Sequence, residues 1–124
     1  MRVSAETHRS HGAAILRSAA ALFRARGLSD VSVAEVTAAA GLTHGAFYGH
    51  FTSKAALAET ACRDTLEAGA ARWRTRAEAA RAAGGSGLAA IIDSYLNSQH
   101  RDEPQNGCVL VALGGELARG EAAM

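Results

Sequence analysis

One proline in 124 residues, Pro104, leaves nearly the whole chain free of a residue that removes a backbone donor and locks φ. Long uninterrupted helices are permitted almost everywhere. Aromatic residues are scarce at 5%, although apolar residues reach 48% and alanine supplies much of that share. This mixture disfavours a sheet of β-branched and aromatic residues and favours helices that approach closely. No apolar run reaches the roughly 18 residues that a membrane span needs, and the N-terminus lacks the apolar core of a secretory signal. The two cysteines, Cys62 and Cys108, lie far apart with no C-x-x-C pair, and two buried or idle thiols are the plain expectation. The chain reads as soluble and cytoplasmic, with room for one domain, or one small domain and part of another.

A strong net charge is missing too. The total is only +1, so the chain as a whole does not advertise a polyanion partner. The distribution is uneven: residues 1–54 carry six Lys and Arg against three carboxylates, and residues 55–124 carry seven arginines against nine. Four of the five histidines also lie in the first part, where they add positive charge near a phosphate backbone. The N-terminal half is the one expected to meet an anion.

What is present is strong helix punctuation. Ser10 caps a first helix running to about Arg26, with Ile15, Leu16, Ala19, Leu22 and Phe23 as its apolar stripe. Gly27 followed by Leu28 has the form of a glycine stop with a trailing hydrophobic contact. Ser32-Val33-Ala34-Glu35 is a capping box, and Val31 and Val36 are placed as its hydrophobic staple. The short second helix ends before Gly41, which frees the chain to turn steeply, and Thr43 caps a third helix two residues later. Ser53 caps a long fourth helix that reaches about Ala82, where Gly84-Gly85-Ser86-Gly87 forms a joint. Two more helical stretches are expected, Leu88 to about Ser98 and Cys108 to about Arg119, separated by the polar loop HRDEPQNG. No strand period and no internal repeat appear, so the fold class is all-α.

Helix, three-residue turn, helix over 33–50 is a helix-turn-helix, whose second helix offers its N-terminal residues to the major groove. Small residues at Gly45 and Ala46 let that helix start approach base edges, while Thr43 and His44 point outward. Tyr48 has a hydroxyl for a phosphate and a ring for a thymine methyl. His50 and Lys54 follow at positions suited to phosphates, Lys54 in the first turn of the fourth helix. Phe47 and Phe51 are expected to face inward. Protonation of His44 and His50 near phosphates would strengthen binding as pH falls from about 7.5 to 6.

The segment AAALFRARGLSDVSVAEVTAAAGLTHGAFYGHFTSKAAL resembles the DNA-binding domain of the tetracycline-repressor (TetR) family of bacterial transcriptional regulators. The resemblance spans roughly residues 9–69, and its motif runs from A-x-x-L-F through A-G-[VL]-[ST]-x-G to Y-x-H-F-x-[SD]-K. It implies a three-helix DNA-binding domain at 9–69 with its helix-turn-helix at 32–51, and a long connecting fourth helix. It also implies a partial helical effector domain at 70–124. The implied function is a sequence-specific transcriptional regulator, a repressor released by a small-molecule effector. The implied partner is double-stranded DNA, contacted by Ser32, Thr43, His44, Gly45, Tyr48, His50 and Lys54. No enzyme activity, cofactor or metal is implied. A second segment, YLNSQHRDEPQNGCVLVALGGELAR, resembles part of one subgroup's effector domain. Position 44, often lysine in the family, is His44 here, and position 49, often aromatic or histidine, is Gly49. Family members usually continue past the length of this chain, with a last helix pair that builds a homodimer. A monomer or weak dimer is therefore expected, with Leu110, Leu113 and Leu117 exposed.

His8 and His11 have a spacing that can share a metal, but no third ligand is near, and a solvated N-terminal arm is the plainer reading. His44 and His50, six apart, do not share an α-helical face. Cys108, near a helix start, has the setting of a reactive thiol but reads more simply as a small packed residue. Trp73 and Tyr95 either line an effector cavity or pack in a core. Arg72, Arg74, Arg76 and Arg81 read as the wet face of the fourth helix. No Ser-His-Asp, Cys-His or paired-carboxylate arrangement stands out. The rival to a DNA-binding regulator is a helical interaction module that binds no DNA.

Overall fold

Ser4, rather than Ser10, starts the first helix: its hydroxyl accepts the Thr7 amide at 3.1 Å, and α1 runs from Ala5 to Arg26. This is a computed structural model, in which residues 4–120 are described. The stretch from Ala5 to Ser10 has no apolar stripe to announce a helix, but a good cap and no breaker suffice to extend one. Ile15, Ala19 and Phe23 are buried at four-residue spacing, with Leu16 and Leu22 packed at the margin of the same core.

Gly27 ends α1 with φ at +88°, and its amide donates to the Phe23 carbonyl. The Ser32–Glu35 capping box then forms in full and opens α2, Val33–Ala39. Val31 and Val36 are both buried beneath it. The Ser18 hydroxyl donates to the Val36 carbonyl at 2.8 Å and ties α2 to α1. After Gly41, at φ +74°, comes His44–Gly49, which is a 3-10 segment and not the expected α-helix. Two glycines in six residues give it poor helical propensity, and short 3-10 pieces tolerate that better than a continued α-helix. Thr43 sits at the N-cap as expected, but its side chain makes no capping hydrogen bond.

Ser53 caps α3, Lys54–Ala82, the expected fourth helix, about 44 Å long at 1.5 Å per residue. Leu57, Ala58, Ala61 and Cys62 are buried against α1 in one core with Phe23, Val36 and Phe47. Ala58, Ala61 and Cys62 are small and take little room between the two long helices. Ser86 caps α4, Gly87–Tyr95, which packs back on α3 where Gly87 meets Ala77. The expected polar loop is not a plain loop. It holds the one-turn helix α5, Ser98–Asp102, capped by Asn97, and a 3-10 turn at Pro104–Asn106.

Helix α6, Val109–Ala118, returns to α1, with Val109 and Leu113 in the common core. Leu113 is therefore buried and Leu117 partly buried, against expectation, whereas Leu110 is 57% exposed. The expectation failed because an apolar helix takes whatever cover is near, and the α1 flank supplies it. The architecture is all-α, and no strand occurs among the described residues. Among them, no helix is long and apolar enough to cross a membrane.

Candidate nucleic-acid interface

The segment after Gly41 is held from behind and left open in front. Phe47 is 1% exposed, its ring stacked on Phe51 with centroids 5.8 Å apart and met edge-on by Tyr48 at 5.1 Å. Phe51 is partly buried against the same core. Thr43, His44, Gly45 and Tyr48 are all exposed, Tyr48 at 64%. In a 3-10 segment residues three apart eclipse, so Gly45 and Tyr48 lie in one outward row. A side-chain carbon added at Gly45 would meet nothing within 4 Å, so the helix start is bare there. Ala46, expected beside Gly45 at the outer surface, is half-buried. The His44 ring lies 5.6 Å from the Tyr48 ring, which places the two together.

The flanking residues divide. Ser32 is exposed at the N-cap of α2, its hydroxyl already accepting the Glu35 amide at 3.1 Å. Glu35 accepts the Ser32 amide at 2.8 Å and pairs with Arg26 at 2.8 Å. The Ser32 backbone bond foremost, and then Arg26, bring the Glu35 carboxyl down to about 2. Lys54 is half-buried at the start of α3, so its ammonium shares the helix end whose amides attract anions.

His50 does not stand free. Its ring stacks on His8 of α1 at 4.1 Å with 23° between planes. A side-chain carbon at Gly12 would lie 2.8 Å from its Nδ1, so α1 admits the imidazole only because position 12 is glycine. Burial first, and then the His8 and His11 charges, push the His50 pKa below its ordinary value. The reading of His8 as part of a solvated arm is thus corrected: it belongs to α1 and holds the C-terminal end of the 3-10 segment. The sequence carried no signal for this stack, because the two rings are joined only through the fold. Among the described residues no group of three or more His, Cys, Asp or Glu side chains is placed to hold a metal.

A second concave surface lies between α3 and the 94–110 segment, a cavity of about 380 Å³. Trp73 and Tyr95 line it, in edge contact at 5.8 Å, and they are joined by His100 and Cys108. The packed-core alternative for the Trp73–Tyr95 pair is excluded, since Trp73 is 36% exposed. Arg72 and Arg76 line the cavity as well, so only part of the expected wet face is plain surface. The C-terminal segments reach the N-terminal helices through polar contacts at two places, one at the cavity wall and one beyond it on α6. Arg24 Nη1 donates to the Gly107 carbonyl at 3.0 Å. Glu116 of α6 accepts the Leu28 amide at 3.0 Å and the Ser29 amide at 3.3 Å. A side-chain carbon at Gly27 would sit 2.6 Å from the Glu116 carboxylate, a second reason for glycine there.

Residues 15–61 match the family model described as bacterial regulatory proteins, tetR family. The matched stretch runs from the first buried residue of α1 to Ala61 of α3 and contains the whole outward-facing segment. No curated protein matches the chain.

Proposed function

From a chain that carries the N-terminal domain of the tetR family of bacterial regulatory proteins, we propose a sequence-specific DNA-binding regulator, a repressor that a small molecule releases from its site. One observation carries the reading. Thr43, His44, Gly45 and Tyr48 face solvent on a segment whose backbone is pinned by Phe47 behind it and by a complete capping box before it. Rigid backing with bare, polar and aromatic frontage is what groove readout requires.

In this reading Gly45 and Ala46 permit close approach to base edges. Thr43, His44 and Tyr48 make the first contacts, and Ser32, His50 and Lys54 set the register on phosphates. Residues 9–69 form the DNA-binding module and residues 70–124 the regulatory part. Two copies on a palindromic site would follow the usual pattern of such modules. The cavity lined by Trp73 and Tyr95 is the effector site. Gly107 at its wall is held by Arg24 of α1, and α6, which begins at the cavity, reaches the turn before α2 through Glu116.

The test is duplex selection from a random pool, followed by titration of the selected duplex across a salt series. Each phosphate neutralised should add about 0.9 to the slope of log affinity against log salt. Tyr48→Ala is expected to weaken binding by tenfold or more while the helical content stays. Failure of any duplex to bind with a salt-dependent affinity would favour the rival reading, a helical interaction module.

A further inference from the structure

We infer that the cavity between α3 and the 94–110 segment takes a flat aromatic carboxylate, with its ring against Trp73 and Tyr95 and its acid group on Arg72 and Arg76. The inference rests on the regulatory reading of that cavity and adds the chemical class of its ligand.

The charge of the lining points to an anion. Arg72 and Arg76 lie one turn apart on α3, so their guanidinium groups share a face of the helix. Neither is in an ion pair among the described residues. The one carboxylate of the lining, Glu103, is engaged by amides: its Oε2 accepts from Gln99 at 3.3 Å and from Asn106 at 3.4 Å. Arg24 adds a third positive group nearby, since it donates to the Gly107 carbonyl at the cavity wall. Its pKa is lowered by burial first and then by the charge of Arg72, so the like charges are close enough to repel. Bound anion would relieve that repulsion, and planar guanidinium groups suit a carboxylate held by two parallel hydrogen bonds.

The rest of the lining points to a ring. Trp73 stands between the two arginines in sequence, with bare Gly69 one turn before it. Tyr95 meets Trp73 edge-on at 64°, and the His100 ring lies 4.4 Å from Tyr95. His100 Nε2 accepts the Cys108 amide at 3.0 Å, which holds the ring beside Tyr95. The three rings together present aromatic surface, and a flat aromatic ligand can stack or meet them edge-on. A volume of about 380 Å³ is at the small end for ligand cavities, which suits a molecule of one or two rings.

The experiment is calorimetric titration of the full chain with 2-naphthoate, 2-naphthamide and octanoate. We expect 2-naphthoate to bind at least tenfold tighter than the amide, which lacks the charge, and than octanoate, which lacks the ring. The exposed pair Arg72→Ala and Arg76→Ala, made together, should bring 2-naphthoate down to the level of the amide. Trp73 is the only tryptophan, so its single indole N–H resonance locates the ligand and should shift on binding. The inference is overturned if 2-naphthoate gives no heat, or if the amide or octanoate binds as well. It is also overturned if the double variant binds unchanged or if the indole resonance stays in place. Duplex affinity with and without saturating 2-naphthoate is a separate readout. Binding that leaves the duplex complex intact removes the regulatory reading and leaves the ligand class standing.

Discussion

At the 43–48 end of the molecule, Thr43, His44 and Tyr48 project into solvent from a segment anchored by a buried phenylalanine. At the opposite flank of α1, Arg24, His100 and Glu116 each reach a backbone group outside their own helix. The first region keeps its polar side chains available and takes its order from apolar packing and a local cap. The second region is also seated by apolar packing, through Val109 and Leu113, and adds polar side chains that reach across to backbone groups. That contrast suits a surface that must meet a partner and a flank that must stay attached to the domain beside it.

The largest test of the contrast lies at the anchor. Phe47→Ala should destabilise the fold by about 3–5 kcal/mol, as expected for a buried aromatic, whereas Tyr48→Ala should change stability by less than about 0.5 kcal/mol. Denaturant melts of both variants decide it. If Tyr48→Ala melts early and Phe47→Ala does not, the two faces are reversed.

Next comes the flank. Glu116→Ala removes the acceptor of the Leu28 and Ser29 amides, and loss of bonds to a charged group should cost about 1.5–3 kcal/mol. Hydrogen exchange should quicken at Leu28 and Ser29 in that variant. Unchanged exchange there would show that α6 is held by Val109 and Leu113 alone.

The cap should matter less. Ser32→Ala is expected to cost about 1 kcal/mol by freeing the Glu35 amide. The carboxyl of Glu35, held at about 2 by the Ser32 amide and then by Arg26, contributes stability present above its ordinary value of 4.5. That contribution is lost as pH falls through about 2. An acid titration in Glu35→Gln should therefore lose less stability over this window than the parent does.

The smallest effect concerns the stacked histidines. The His50 pKa is lowered in the folded state, so below its ordinary 6.5 the unfolded chain takes up the proton first. Stability should accordingly fall as pH drops below 6.5, which is the sign opposite to a histidine that gains a carboxylate partner. His8→Phe keeps a ring against His50 and removes one of the like charges, so the dependence should shrink without vanishing, because burial is the larger cause. A pH series of thermal melts reads this directly.

Much of the helical layout was legible because its signals are local. Ser32 with Glu35, Ser53 with Ala56, and the stops at Gly27 and Gly41 act within one turn of chain, and a short window of sequence contains both partners. The inward placement of Phe47 and the outward placement of Tyr48 were also readable, since one side chain of an aromatic pair had to fill the core. The 3-10 form of His44–Gly49 was less so: Gly45 and Gly49 weaken an α-helix, but which short helix replaces it depends on the seat offered by α1 and α2. The one-turn helix in the polar loop was missed for the opposite reason, because five polar residues carry no apolar period.

By itself, the sequence determined an all-α chain, its main breaks, and a helix-turn-helix with a polar and aromatic outer face. Those features follow from propensity, capping and apolar spacing, which operate over a few residues. Only the tertiary structure decided that His8 stacks on His50, that Arg24 reaches Gly107, and that Glu116 closes over the turn after Gly27. The last two partners stand 83 and 88 residues apart in the chain, and no periodicity links them. They meet because α3 carries the chain away and α6 brings it back to bury Val109 and Leu113 on α1. Burying apolar surface is non-directional, so it sets which elements meet; which polar groups then face each other is settled only once those elements are in place.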